Sequence, residues 1–481
     1  MSDFEFSSSS AGGASRRWCA TQGRVRRTAR LLNFTARTAC EATAIGVRGK
    51  ITGADTRALQ ARTAARYAEL LGHSRGVLMK AAQMLSFAPM DAPALAGLLP
   101  VYQEALALLR ADAPPMTPEL ARRALERELG PIESVFCEFD WRPLAAASIG
   151  QVHAARLHDG RRVAVKIQYP EAAEAIGTDL KNVELLATML RLLSSCLPAA
   201  RKLSFDVRGG ARELGVRISE ELDYWREATN QDEFASVYRG HPFIHVPEVV
   251  WELCTERVLT QELMVGMRWE HAVHASQDLR DRWAEAIWRF VYGSNSRFRV
   301  FHADPHPGNY LFHKDGSVSF LDFGCVKRFR PDHARMMAAT GPPCVEGDVQ
   351  RLWCKCVELG FWRPDDPVAA EDVFDYWRGA LEMYWREQPF TITPERAAKW
   401  ITHRVNPTGR SANAMRHCTL PADYTVIARI EAGTNAIFAH LHATKDWASI
   451  ASEYFLGELP TTQMGKLDRA FFEEREAAGR V

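Results

Sequence analysis

The spacing of apolar residues predicts that the first part of the chain is helical. Apolar positions recur at helical intervals over 54–110, and a further helix is predicted over 118–129. Gly130 and Pro131 follow it, and this pair is typical of a helix end because glycine leaves the helical conformation easily and proline cannot continue it.

The pattern changes to strands after residue 131. Residues 135–141 predict a strand. Alternating, β-branched runs follow at 151–158 and 161–168, and Asp159-Gly160 joins them. Asp-Gly between two such runs strongly favours a tight hairpin.

The remaining pattern is mostly helical. The predicted elements are helices at 171–197 and 206–238, a second pair of strands at 246–253 and 257–264, and a helical part from Trp269 onward that is interrupted by loops and strands at 300–327. No internal repeat is found in the sequence.

These elements predict an α+β fold with two lobes and a ligand cleft between them. We divide the chain into a basic leader at 1–50, a helical extension at 51–130, a small mixed lobe at 131–265 and a large, mostly helical lobe at 266–481.

Composition excludes some classes of function. Apolar residues make up 47% and charged residues 25% of the 481, which are ordinary values for a globular protein. The formal net charge is +1, whereas a dedicated nucleic-acid binder needs a basic face to neutralise phosphates. We therefore expect no nucleic acid among its partners.

Charge and cysteine usage bear on the compartment. Residues 1–50 hold nine Lys or Arg and three Asp or Glu, a net of +6, and the other 431 hold 51 and 56, a net of −5. Such a leader is typical of an arm that adsorbs to an anionic membrane or of a solvated tail, and both interpretations stay open. Ten scattered cysteines without a Cys-x-x-Cys pair predict a reduced, intracellular protein. No apolar run reaches the ~18 residues of a membrane helix.

The strongest chemical signal is at 301–309, with sequence Phe-His-Ala-Asp-Pro-His-Pro-Gly-Asn. Its two prolines exclude a regular helix, so it predicts a loop. Asp304, Asn309 five residues later, and the Asp322-Phe323-Gly324 that follows have the spacing of a phosphotransferase catalytic loop. Asp304 would face the attacking hydroxyl or water, while Asn309 and Asp322 would supply oxygens to Mg²⁺.

A lysine that could hold the nucleotide phosphates lies on the second strand of the hairpin. It is Lys166, in the segment Val-Ala-Val-Lys, at the place where a kinase carries this lysine. A loop of small residues precedes that hairpin, where a glycine-rich phosphate loop belongs. Its predicted nucleotide-binding residues are Ala145, Ala146, Ala147 and Ser148.

A carboxylate from a small-lobe helix is expected to pair with Lys166. Glu221 is the first candidate for this catalytic pair, with Glu213, Glu227 and Asn230 as alternatives.

His302 and His306 offer a different interpretation, because His-x-Asp-x-His is also typical of part of a hydrolase metal site. No second His/Asp cluster has the complementary spacing, and that interpretation gives Lys166 no role.

The sequence closely resembles the ADCK/UbiB family of atypical protein-kinase-like proteins from about residue 70 to 335. The segments that carry the resemblance are 80–86, 143–153, the Val-Ala-Val-Lys strand, 221–228, 302–309 and 322–324. The family signature Lys-x-Gly-Gln departs here, because Ala82 occupies the glycine position between Lys80 and Gln83.

The resemblance implies a protein-kinase-like fold with an added N-terminal helical segment covering the cleft. It implies ATP or ADP with Mg²⁺ as cofactors, and a gate formed by Lys80, Gln83 and Asp223. Glu262 and Met264, near the end of the last small-lobe strand, complete the nucleotide-binding set. Family members are linked to ubiquinone and prenyl-lipid metabolism and behave as membrane-associated ATPases.

Three functions follow from these observations: an Mg-ATP-dependent atypical kinase or ATPase in prenyl-lipid metabolism, a small-molecule phosphotransferase of the aminoglycoside- or choline-kinase type, and a nucleotide-sensing module without turnover. The predicted partners are the nucleotide and an anionic or prenyl-lipid surface, and a dimer stays open. The predicted location is the cytoplasm with peripheral membrane association, or the mitochondrion in a eukaryote.

Overall fold

The structure, a computed structural model, describes residues 116–147, 149–170, 222–330, 339–405, 411–419 and 422–479. The strands there are β1 Phe136–Phe139, β2 Ala145–Ala146, β3 Gly150–Leu157, β4 Arg162–Gln168, β5 Ile244–His245, β6 Val258–Glu262, β7 Val300–His302, β8 Tyr310–Phe312, β9 Val318–Phe320, β10 Val326–Arg328, β11 Phe390–Thr391 and β12 Thr444–Lys445.

The α-helices of the same ranges are α1 Pro118–Leu129, α2 Ile132–Val135, α3 Tyr224–Tyr238, α4 Trp269–Ala272, α5 Gln277–Trp288, α6 Ser294–Phe298, α7 Gly341–Glu346, α8 Val349–Glu358, α9 Ala370–Ala380, α10 Glu382–Trp385, α11 Pro394–Val405, α12 Ala412–His417, α13 Ala422–His440, α14 Trp447–Phe455 and α15 Gln463–Ala477. Three tighter or wider turns accompany them: 3₁₀ turns at Trp251–Leu253 and Pro307–Asn309 and a π-helical turn at Arg289–Gly293.

The small lobe is built on an antiparallel sheet in which β3 and β4 are central. The strand order is β1-β3-β4-β6, and β2 pairs with β3. The predicted hairpin is confirmed, and Gly160 in its turn has φ +89°, a conformation that glycine adopts without a steric cost. Lys166 lies opposite Val152 on β3 and Leu259 on β6, so its backbone is fixed from both sides.

Helix α1 confirms the prediction over 118–129. The Thr117 side chain accepts a hydrogen bond from the Leu120 N–H at the start, and Gly130 ends the helix at φ +79°. Ala121 and Leu125 are fully buried in a core that also contains Val165 of β4. This packing holds the strand that carries Lys166.

Two predicted elements differ in the structure. The strand predicted at 246–253 is wrong: the segment contributes one bridge, between Val249 and Gln261, and ends in a 3₁₀ turn, because Pro247 has no N–H for a ladder. The helix predicted through 206–238 is also wrong at Asp223, an extended residue whose side chain caps α3.

The large lobe surrounds an aromatic core under the loop-and-strand stretch predicted at 300–327. The rings of Phe290 and Phe320 stack with centroids 3.7 Å apart, and Trp283 and Trp288 are fully buried beside them. Strand β7 pairs with β10 and β8 with β9, so residues 300–328 form a layer of short strands. This layer presents the segment between β7 and β8 to the cleft.

Buried charges fix the C-terminal helices to this lobe. Arg289, with no exposed side-chain surface, donates to Glu285 of α5 at 3.0 Å and to Glu453 of α14 at 2.7 Å. Asp468 of α15 lies 3.9 Å from the same guanidinium. Among the described residues, no helix combines the length and apolar character that crossing a membrane requires. The boundaries of the four predicted segments stay a prediction, and 1–115 lies outside the described residues.

Candidate active site

Lys166 is the centre of the candidate site. Its Nζ lies 2.8 Å from both carboxylate oxygens of Glu227 and 3.1 Å from Oδ2 of Asp322, and 4.9 Å from the ring centroid of Tyr224. Burial alone would lower the pKa of Lys166, but the charges of Asp322 and Glu227 outweigh it and hold that pKa well above its usual value. The lysine is therefore a fixed cation that joins the two lobes.

Glu227 reaches Lys166 from the first turn of α3. Its side chain is 4% exposed, so the pair is screened from water. Glu227 thus takes the position assigned first to Glu221, which lies outside the described residues together with Glu213. Asp223, predicted to gate the site, accepts hydrogen bonds from the backbone N–H groups of Trp225 and Arg226 and so fixes where α3 begins.

The catalytic-loop candidates are held by the strands on either side. His302, fully buried, contacts the backbone oxygen of Asp322 through Nε2 at 2.6 Å. Burial lowers the pKa of His302, which favours the neutral ring. The backbone N–H of Leu321 donates to the backbone oxygen of Asn309 at 2.9 Å. These bonds place 304, 309 and 322 along one edge of the cleft.

Asp304 has both oxygens engaged. Its Oδ1 accepts from Arg429 Nη2 at 2.7 Å, and its Oδ2 accepts from Asn309 Nδ2 at 3.4 Å. Because the Asn309 amide nitrogen faces Asp304, its amide oxygen is the end left to accept a metal ion.

Asn309 and Asp322 fit Mg²⁺ by their chemistry. An amide oxygen just before β8 and a carboxylate just after β9 suit a hard cation that completes its shell with phosphate and water oxygens. The histidine alternative has no support in the described residues: they contain no group of three or more His, Cys, Asp or Glu placed to hold a metal. His306 instead accepts a hydrogen bond from the Gly308 N–H through Nδ1.

The alanine-rich segment predicted as a loop precedes β3, and its first two alanines form strand β2. Ala145 and Ala146 are exposed and pair with Val152 and Gln151, and the Ala147 N–H donates to the Gly150 oxygen at 2.8 Å. This is a short hairpin over the end of the sheet. Ser148 lies outside the described residues.

Glu262 and Met264 lie where the chain leaves the small lobe. The N–H of Glu262 donates to the Glu248 oxygen at 2.8 Å and that of Leu263 to the Arg162 oxygen at 3.1 Å. Met267 then pairs with Phe312 of the large lobe, so 262–267 spans the back of the cleft. Lys80 and Gln83, predicted to gate the site, lie outside the described residues.

Comparison with known proteins decides the family. The model of the ABC1 atypical kinase-like domain matches residues 108–354. The chain belongs to the ABC1 atypical kinase-like family. This confirms the resemblance seen in the motifs, and the α+β, kinase-like fold class with it.

Relatives of this family support the assignment. The rat atypical kinase COQ8B, mitochondrial, is 33% identical over 388 residues, which cover 77% of this chain and 69% of the relative. A solved structure, of the complex of Rv3197 with erythromycin from Mycobacterium tuberculosis, is 31% identical with a TM-score of 0.60 and covers 83% of this chain and 97% of that one.

The chain spans a smaller share of other ABC1 relatives. The chloroplastic protein ACTIVITY OF BC1 COMPLEX KINASE 7 of Arabidopsis thaliana is 31% identical over 275 residues, 56% of this chain and 38% of the relative. The chain likewise spans under half the length of the other plant and cyanobacterial relatives that it matches.

Two residues of the site were missed by sequence reasoning. Arg429 lies 125 residues from Asp304, in a helix whose pattern contains no motif. Tyr224 follows Asp223 directly, and its buried hydroxyl has no hydrogen-bond partner among the described residues. Tyr224 could have been found from the sequence because it adjoins the motif at 221–223. Arg429 could not, because no motif surrounds it.

Proposed function

We propose that this protein binds Mg-ATP in the cleft and acts as an ATP-dependent atypical kinase or ATPase. The observation that carries the proposal is the contact of Lys166 with Glu227 on one side and Asp322 on the other. Membership of a kinase-like family supports it. A buried lysine held between a helix carboxylate and the acid of Asp-Phe-Gly is the arrangement that a kinase uses for nucleotide phosphates.

Each polar residue has a part in this proposal. Bound Mg-ATP would supply the transferable phosphoryl group. Lys166 would hold the α- and β-phosphates while Glu227 keeps its ammonium in place, and Asn309 and Asp322 would hold the metal. Asp304 would orient the hydroxyl or water that attacks.

The affinity for nucleotide tests the site. Asp322→Asn removes the metal-binding charge and is expected to weaken Mg-ATP binding by at least about tenfold in a folded protein. Asp278→Asn is the control, because Asp278 is an exposed acid in the first turn of α5. Equal Mg-ATP affinity in wild type and a folded Asp322→Asn variant overturns the assignment.

The physiological setting that we propose is ubiquinone or other prenyl-lipid metabolism at a membrane surface. Support comes from the family resemblance and from the mitochondrial kinase COQ8B among the relatives. The basic composition of residues 16–50 suits adsorption to anionic lipid. Deleting 16–50 should reduce binding to phosphatidylglycerol vesicles, and raised salt should weaken the binding of the full chain. If the full-length and the shortened protein bind these vesicles equally at low salt, the leader has no role in membrane binding.

A small-molecule phosphotransferase is the second candidate. The observation that favours it is the relative whose solved structure is a complex with erythromycin. Product analysis separates the candidates: free phosphate without a phosphorylated product supports an ATPase, and phosphorylated erythromycin supports the phosphotransferase. Nucleotide binding without either product would support a nucleotide-sensing module without turnover.

A further inference from the structure

The C-terminal helix α13 packs directly on the catalytic loop. A Cβ atom added at Gly433 would lie 2.7 Å from Cγ and 2.9 Å from the backbone oxygen of Pro305. Real Cβ atoms do not approach backbone that closely, so only glycine permits this contact. The contact fixes the position of α13 along the loop.

Arg429 lies one turn before Gly433, on the same face of the helix. Its Nη2 donates to Oδ1 of Asp304 at 2.7 Å, next to the proline that Gly433 touches. The Arg429 and Asp304 side chains are 26% and 31% exposed, so the pair is partly open to solvent rather than enclosed in the core. The helix therefore brings a cation to the catalytic-loop acid.

Arg429 reaches this acid from a part of the chain that is distant from the loop. Residues 305–309 are Pro-His-Pro-Gly-Asn, without lysine or arginine. Arg429 also lies outside residues 108–354, which are the part that matches the family domain. Arg429 thus adds a positive charge at Asp304 from a part of the chain that the family match does not include.

This charge matters because of what the site must accept. The terminal phosphoryl group of ATP is anionic and must approach the residue that orients its acceptor. A bare carboxylate there would repel it, and a guanidinium at hydrogen-bond distance cancels the charge of that carboxylate. ADP lacks this terminal phosphoryl group, so the charge of the Asp304 carboxylate affects its binding much less.

We infer that Arg429 is a specificity-determining residue, which neutralises Asp304 so that the cleft accepts the terminal phosphoryl group of ATP. The inference rests on the proposed nucleotide site and extends it to α13. Arg429 acts through Asp304, and its effect is on the preference for ATP over ADP.

The test is a charge-swap series in which the affinities for Mg-ATP and Mg-ADP are measured by calorimetry. R429Q removes the guanidinium from Asp304 and should weaken Mg-ATP binding about tenfold, or ~1.4 kcal/mol, while Mg-ADP changes by a factor of about two or less. D304N should strengthen Mg-ATP binding relative to Mg-ADP. The double variant D304N/R429Q should return the preference close to that of wild type, because neither charge remains. R429K keeps the charge and should rescue most of the ATP affinity.

A matched control is R351Q, which removes an exposed arginine that forms a surface ion pair with Glu346. It should leave both affinities unchanged. If R429Q changes ATP and ADP affinities equally, or changes neither, the inference is overturned while the nucleotide site stands. If wild type binds neither nucleotide, the proposed function fails and the inference fails with it. Should R429Q not fold, D304N decides alone: an unchanged preference in that variant overturns the inference.

Discussion

Asn230 Nδ2 donates to the backbone oxygen of Phe323 at 3.0 Å. Asn230 is 4% exposed, and its Oδ1 accepts from Arg328 at 3.0 Å, so both ends of the amide are used. It lies three residues after Glu227, on the same face of α3. The small-lobe helix therefore holds Asp-Phe-Gly by its backbone as well as through Lys166.

We expect Asn230→Ala to weaken both the fold and the site. Leaving a buried carbonyl without its donor costs about 1–3 kcal/mol, and the Asp322 carboxylate loses a nearby anchor. Urea unfolding and Mg-ATP titration measure the two effects. Asn413→Ala is the control, because Asn413 also donates to a backbone oxygen, that of Pro367, but at an exposed site. A folded Asn230→Ala variant with wild-type Mg-ATP affinity would contradict the coupling.

Glu227→Gln should reduce ATP turnover by at least about tenfold. Lys166 then loses the carboxylate that holds its ammonium group on the side away from Asp322. Glu233→Gln, on the same helix, removes only a partly exposed ion pair with Arg328 and should have little effect. Steady-state release of phosphate measures both. The experiment also compares Glu227 with Glu221: a larger loss in Glu221→Gln than in Glu227→Gln would show that the paired carboxylate is misassigned.

Local chemistry made several elements predictable. The Asp159-Gly160 turn, the alternation of the strands around it and the Gly130 helix end depend only on neighbouring residues, and each is found in the structure. The order of Asp304, Asn309 and Asp322 was equally informative, because one loop and one hairpin bring them together.

The parts that were not predictable depend on distant contacts or on a cap. Which acid meets Lys166 depends on the face of α3, and Asp223 sets that face because its extended backbone and its side-chain cap fix where α3 begins. A helix predicted to continue through residue 223 would turn the side chains after it to other faces than those seen in α3. Arg429 reaches Asp304 only because α13 packs on Pro305, a tertiary contact that local spacing does not encode.

Gly150→Ala should destabilise the small lobe beneath the alanine-rich loop. The added Cβ would clash with the backbone oxygen of Ile167 and would lie 2.8 Å from the Tyr224 hydroxyl. Backbone cannot move aside as a side chain can, so we expect a loss of about 1–3 kcal/mol in the free energy of unfolding. Adding Tyr224→Phe removes only the second clash and should rescue the protein incompletely. Full rescue would mean that β4 moves freely, contrary to its pairing on both sides.

The buried network around Asp468 gives the protein a pH dependence far from the cleft. Asp468 accepts hydrogen bonds from Arg297 at 2.6 Å, from His241 at 3.0 Å and from the Tyr454 hydroxyl at 3.0 Å. Burial alone would raise the pKa of Asp468, but the His241 bond and the charges of Arg297 and Arg289 lower it from 3.8 to about 2. The ionised carboxylate therefore holds α15 on the large lobe.

Because the pKa of Asp468 is lower in the folded than in the unfolded protein, its ionisation stabilises the fold above pH 3.8 and loses that effect as pH falls toward 2. The contribution is about 2 kcal/mol, since one pKa unit corresponds to 1.36 kcal/mol. Asp468→Asn leaves Arg297 and Arg289 short of a buried counter-charge and should cost about 3–5 kcal/mol near neutral pH. Urea unfolding of both proteins at neutral pH and near pH 3 measures the difference, which should shrink in acid because the unfolded wild-type chain then takes up a proton on Asp468 that the folded protein does not. A difference that stays constant over this range would show that Asp468 is not held as an anion, and that packing rather than charge fixes α15.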